Sequence, residues 1–157
     1  MASVKPIPPG YTTVTPSITF SDTPKAIEFY KKALGATERS RIPGPDGKIM
    51  HAEIQVGNSI IMMNDEVMGQ RSAKSIGGTP ISFYLYVEDT DAAFKKALAA
   101  GGKEVAPITD MFWGDRMGAF EDPFGIHWTI ATRVKEVSRD EMVRGQEEFM
   151  KQMAGAK

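Results

Sequence analysis

The sequence has no cysteine among its 157 residues. Disulfides, thiolate metal sites and cysteine nucleophiles are therefore excluded. A disulfide-free chain of this size leans toward a reducing compartment, so a cytoplasmic location is expected. Histidine is scarce too, at two residues. Neither sign of charge dominates: 19 Lys and Arg against 20 Asp and Glu give a net charge of −1. Nothing electrostatic calls for nucleic acid or an anionic membrane as partner. No apolar run approaches the length that spans a bilayer. The first ten residues carry Lys5 but no apolar h-region, so no secretory signal is expected. A P-loop, a Gly-x-Gly-x-x-Gly turn and a nucleophile elbow are all missing. What remains is ordinary globular material, 41% hydrophobic and 25% charged, enough for a packed core in one domain or two small modules.

Periodicity divides the chain. Residues 1–11 are Pro-rich and read as an extended arm. In residues 14–20, Ile18 and Phe20 alternate with Ser17 and Thr19, the period of a two-faced strand. Ser21, Asp22 and Thr23 offer helix caps, Pro24 suits a first turn, and Gly35 suits the stop of a helix reaching Leu34. Strands are predicted at residues 37–42, 49–56 and 59–63, with a tight Gly57-Asn58 hairpin between the last two. Residues 67–79 read as a linker. The order then recurs: strand 81–87, helix 90–100, and strands 103–106, 116–121 and 126–132. Asp22/Asp89, Thr23/Thr90, Ala26/Ala93, Gly35/Gly102, Gly47/Gly114, Met50/Met117 and Ala52/Ala119 all match at one offset (89 − 22 = 67). An internal duplication accounts for that. Module one spans 12–66 and module two 80–135 of a single domain at 12–135. In the tail, 136–157, Ser138-Arg139-Asp140-Glu141 is a capping box for a final helix. Its sparse stripe of Met142, Phe149 and Met153 suits docking on its own sheet or on another subunit.

Two segments resemble a known family. Residues 22–35 (DTPKAIEFYKKALG) look like the first helix of the vicinal-oxygen-chelate superfamily, which includes glyoxalase I, bleomycin-resistance proteins and extradiol dioxygenases. Residues 121–128 (EDPFGIHW) look like its final hairpin, and residues 113–117 and 131–138 resemble its PhnB-like branch. The resemblance implies an α+β fold: two tandem βαβββ modules forming a curved mixed sheet with a cup-shaped cavity, plus here a C-terminal helix. It also implies a small-molecule ligand, pairing of modules within a chain or across a dimer, with a homodimer expected here, and, in many members, a divalent metal held by His, Gln or Glu at four strand positions. Carried over, those positions fall on Thr15, Ser82, Thr129 and Ile61, or Met62 if the register slips by one. None is a good metal ligand. No cofactor is therefore expected.

Strand alternation extends these positions into a lining. Thr15 brings Ser17 inward, Ser82 brings Tyr84 and Tyr86, and Thr129 brings His127. On the 49–56 strand the apolar Met50, Ala52, Ile54 and Val56 should face the helices, leaving His51, Glu53 and Gln55 inward. Met63 and Phe120 are expected to add apolar wall, and the loop 111–116 to supply Trp113 for stacking and Arg116 for an anionic group. The reading is a glyoxalase/bleomycin-resistance-like protein that binds a small organic ligand without the usual metal. The alternative is a metal-dependent lyase or dioxygenase with a displaced site at His51, Glu53 and His127.

Overall fold

The computed structural model describes residues 4–155. The first three residues of the expected arm and the last two of the tail lie outside them. The order is β1 (Ser17–Phe20), α1 (Thr23–Leu34), β2 (Thr37–Pro43), β3 (Ile49–Val56), β4 (Ser59–Asp65), a short α2 (Ala73–Ile76), β5 (Ser82–Tyr86), α3 (Thr90–Ala99), β6 (Lys103–Asp110), β7 (Asp115–Glu121), β8 (His127–Arg133) and α4 (Arg139–Gly155). Two four-stranded mixed sheets form, ordered β1-β4-β3-β2 and β5-β8-β7-β6, so the duplication read from the sequence is a duplication of topology. Its offset survives in the registers. Ser17 pairs with Met62, and 67 residues further on Tyr84 pairs with Thr129.

Local chemistry accounts for the element ends. The Asp22 carboxylate accepts from Lys25 N at the start of α1, and Gly35 closes it at φ 67°. Asp89 caps α3 in the same way through Ala92 N. The linker carries one unexpected turn of helix, α2, because Ser72 caps it and Gly77 stops it. The helices lie on one face of the sheets and pack on each other. Between them runs one core that holds both modules: Phe20, Ile27, Phe29 and Tyr30 from the first, Phe94, Phe120, Trp128 and Ile130 from the second. Buried Asp122 joins the halves, accepting hydrogen bonds from the Tyr30 hydroxyl at 2.6 Å and Trp128 Nε1 at 3.0 Å.

Helix α4 opens with the expected capping box: Glu141 N donates to Ser138 Oγ and Ser138 N to the Glu141 carboxylate. It docks on neither sheet. Phe149 instead meets Phe112, with ring centroids 5.8 Å apart, and Gly145 lets the Phe112 ring approach where a Cβ would collide. Met142, Val143, Met150 and Met153 remain exposed.

The caps predict an acid sensitivity. Hydrogen bonds from Ser138 hold the Glu141 carboxyl down at about 2, and those from Ser72 hold Glu66 at about 2, against an ordinary value near 4.5. Both values are depressed in the folded chain, so their contribution is present above about pH 4.5 and is lost as pH falls toward 2. Amide signals of α4 and α2 are expected to fray over that window in an NMR acid titration. Unchanged signals down to pH 2 would contradict the assignment.

Candidate functional site

Each sheet turns one face to the helices and the other, concave, away from them. Register fixes which side chains share the concave face. In the first sheet it carries Ser17 and Thr19 from β1, Ile60, Met62 and Asn64 from β4, and His51, Glu53 and Gln55 from β3. In the second it carries Ser82, Tyr84 and Tyr86 from β5, His127 and Thr129 from β8, and Asp115, Met117 and Glu121 from β7.

Several expected lining residues lie elsewhere. Met63 is buried in the core, because β4 turns Met62 rather than Ile61 into the cup and a one-residue shift exchanges faces. Phe120 is core as well, opposite Trp128 on the helix side. Arg116 shares that side, where it bridges Asp91 at 2.7 Å and Asp110 at 2.9 Å; both raise its pKa and occupy the guanidinium. Thr15 precedes β1 and donates to Thr12 O in a turn. Met50 leaves the core for the surface beside Gly44, and Ile49 is buried instead.

The first cup centres on Glu53. Its carboxylate accepts from the Tyr11 hydroxyl, lies 3.0 Å from His51 Nε2 and 3.6 Å from Arg39 Nε. Arg39 Nη1 also donates to Gln55 Oε1 at 3.1 Å. The Tyr11 hydrogen bond, ahead of that from His51, holds the Glu53 carboxyl below its usual range. The arm and the strand β2 were expected from the sequence, but Tyr11 and Arg39 were not among its candidate residues.

In the second cup the centre is Asp115, 4% exposed. Its Oδ2 accepts from Tyr84 and Tyr86 hydroxyls at 2.9 Å each and from Trp113 Nε1 at 3.2 Å. Three donors converge on one oxygen of a carboxylate that forms no ion pair with a cationic side chain among the described residues. The two tyrosine rings lie 5.1 Å apart and stay open to solvent, 45% and 62% exposed. Burial first, then the Asp115 hydrogen bond, pushes Tyr84 up to about 12, so it remains a neutral donor at physiological pH. The backbone of Gly114 makes this corner possible. At φ 98° it accepts from Val134 N and Lys135 N, packed so closely that no side chain fits.

His127 sits on the same face with its own partner, Glu121, at 3.3 Å. His51 and His127 thus belong to different sheets, each beside a separate carboxylate. Among the described residues no three His, Cys, Asp or Glu side chains gather as metal ligands. The family positions offer only hydroxyls at Thr15, Ser82 and Thr129 and a thioether at Met62. That donor set does not fit a divalent metal. A separate cleft of about 320 Å³ opens between β1 and β5 and is walled by Ile18, Ile76, Ile81, Phe83 and Ile126; of the candidates, Ser17 alone lines it.

Comparisons with known proteins bear on the fold and the family. Residues 12–130 match the model of the Glyoxalase/Bleomycin resistance protein/Dioxygenase superfamily. The chain belongs to that family. Uncharacterized protein Rv0887c of Mycobacterium tuberculosis is 42% identical over 134 residues, covering 82% of this chain and 79% of that one. The solved structure of PA1353 from Pseudomonas aeruginosa matches with a TM-score of 0.65 at 26% identity, covering 79% of this chain and 99% of that one. The PhnB protein from Bacillus cereus matches with a TM-score of 0.62 at 18% identity, over 77% and 99%, a likeness of fold. As in the sequence, no described helix is long and apolar enough to cross a membrane.

Proposed function

We propose that this glyoxalase-family protein binds a small organic ligand with an aromatic body in its second cup, without a divalent metal. One observation carries the reading: Tyr84, Tyr86 and Trp113 surround the buried carboxylate of Asp115. Exposed aromatic faces supply stacking area. The Asp115 Oδ1, which accepts none of those three hydrogen bonds, favours a donor or a single positive group on the ligand. Ser82, Thr129 and His127 complete the polar rim. Sequestration of a drug-like molecule is one form this function takes.

The probe is 2-phenylethylamine, added to chelator-treated protein while tryptophan fluorescence is followed. A saturable change is expected, with affinity roughly tenfold weaker in Asp115→Asn, where the amide keeps the shape and loses the charge. No saturable change would overturn the reading.

A homodimer and a cytoplasmic location belong to the same proposal. The exposed apolar stripe of α4, Met142, Val143, Met150 and Met153, favours a second copy as its cover. The alternative, a metal-dependent lyase or dioxygenase, has the close His51–Glu53 pair in its favour. It needs His127 at the same centre, and within one chain the two histidines sit on separate sheets.

A further inference from the structure

The segment before Pro16 belongs to neither sheet, yet it lies across the first cup. Its backbone bonds are internal, such as Tyr11 N to Pro8 O at 3.2 Å, and no backbone hydrogen bond joins its described part to a strand. Side chains hold it. Tyr11 donates its hydroxyl to Glu53, the Arg39 guanidinium lies 6.0 Å from the Tyr11 ring centroid, and Gly10 fits against Arg39 and Ile60. Glu53 thus receives groups from two directions: His51 and Arg39 from the sheet, and a phenol from outside it.

We propose that the first cup is a second ligand site, closed in the free protein by the chain's own Tyr11, and that the ligand it takes is a small phenol. The chemistry around Tyr11 is a recognition set for that class. A carboxylate accepts the hydroxyl proton in a charge-assisted bond, and a guanidinium lies over the ring. Gln55 holds the guanidinium in place. A strap without strand hydrogen bonds opens more easily than the sheet beneath it. Being tethered, its phenol competes at an effective concentration in the millimolar range, so a free phenol displaces it only when it binds better or when Tyr11 is removed. The second-cup ligand plays no part in this site.

The test uses the full chain and 4-methylphenol, the tyrosine side chain itself. The protein has two histidines, so their ring-proton NMR signals report the two cups separately: His51 the first, His127 the second. In Tyr11→Ala, 4-methylphenol is expected to shift the His51 signal saturably, roughly tenfold or more tighter than in the wild type, while the His127 response is the same in wild type and variant. The methyl ether, 4-methylanisole, has no proton to donate and should bind roughly tenfold weaker. Tyr11→Phe keeps a ring in the cup and should fall between wild type and Tyr11→Ala, a check that stands even if the alanine variant folds poorly. The proposal is overturned if folded Tyr11→Ala shows no saturable His51 shift. Equal binding of the phenol and its ether, or equal binding by wild type and both variants, would overturn it too.

Discussion

Replacing Asp122 by alanine is expected to cost about 4 kcal/mol of folding stability, near the upper end for a single substitution. The carboxylate is a four-way joint. Its Oδ2 accepts from Tyr30 and Trp128, and its Oδ1 accepts from Phe124 N and Ile126 N at 2.9 Å each. Tyr30 lies on α1 of the first module; the other three donors lie on or beside the last hairpin of the second. Alanine would orphan a buried hydroxyl, a buried indole N–H and the buried amide of Ile126, each at roughly 1–3 kcal/mol. Part of that is recovered, because burial pushes the Asp122 carboxyl up and the folded chain no longer has to hold the charge. For a chain of this length the net loss corresponds to a melting temperature lower by about 12 °C. Asp122→Asn keeps one acceptor and should lose less, and Tyr30→Phe should lose least. Calorimetry of the three variants checks the order. A loss under about 1 kcal/mol for Asp122→Ala would mean that the modules are held together by apolar packing alone. The pH dependence has its own sign. A carboxyl raised in the folded state favours folding as pH falls, so Asp122 works against the acid loss from Glu66 and Glu141.

The double substitution Tyr84→Ala with Tyr86→Ala is expected to weaken 2-phenylethylamine binding by roughly 100-fold, at about 1.4 kcal/mol for each aromatic face removed. Single variants should each lose about tenfold. Tyr84→Phe with Tyr86→Phe separates stacking from hydrogen bonding. It keeps both rings but removes two of the three donors to Asp115 Oδ2, leaving the Trp113 indole. Binding should then persist while stability falls by about 1–3 kcal/mol. Fluorescence titration reads the first effect and thermal melting the second. Unchanged affinity in the double alanine variant would move the ligand away from this cup.

The fold was legible because its signals are periodic and local. Capping chemistry at Asp22, the stop at Gly35 and the offset of 67 all reflect interactions within a few residues or a strict repeat. Facing was legible wherever a strand alternates cleanly, as on β3, where Ala52, Ile54 and Val56 are buried beneath His51, Glu53 and Gln55. It failed for Met63 because β4 reads Ile60-Ile61-Met62-Met63, and a run without alternation leaves the register open by one. Phe120 failed for a different reason. Glu121 two places from Ala119 would have marked the outward parity of β7 and sent Phe120 to the core. The same parity would have found Asp115, the centre of the second cup. Arg116 could not be judged from its neighbours in sequence, since its partner Asp91 is 25 residues away. Asp122 read as a turn residue, and its second role needs the Tyr30 hydroxyl, 92 positions distant. Tyr11 offered no signal at all, because an irregular arm has no period that tells where a side chain lands.

Binding of an aromatic ligand in the second cup is proposed to need no metal. Calorimetric titration of chelator-dialysed protein with 2-phenylethylamine, repeated after adding zinc, nickel, manganese or ferrous iron, tests it most directly. Saturable one-site binding is expected, with the same affinity with and without each ion and roughly 100-fold weaker in the Tyr84→Ala, Tyr86→Ala protein. Binding that appears only once a divalent metal is added would contradict it.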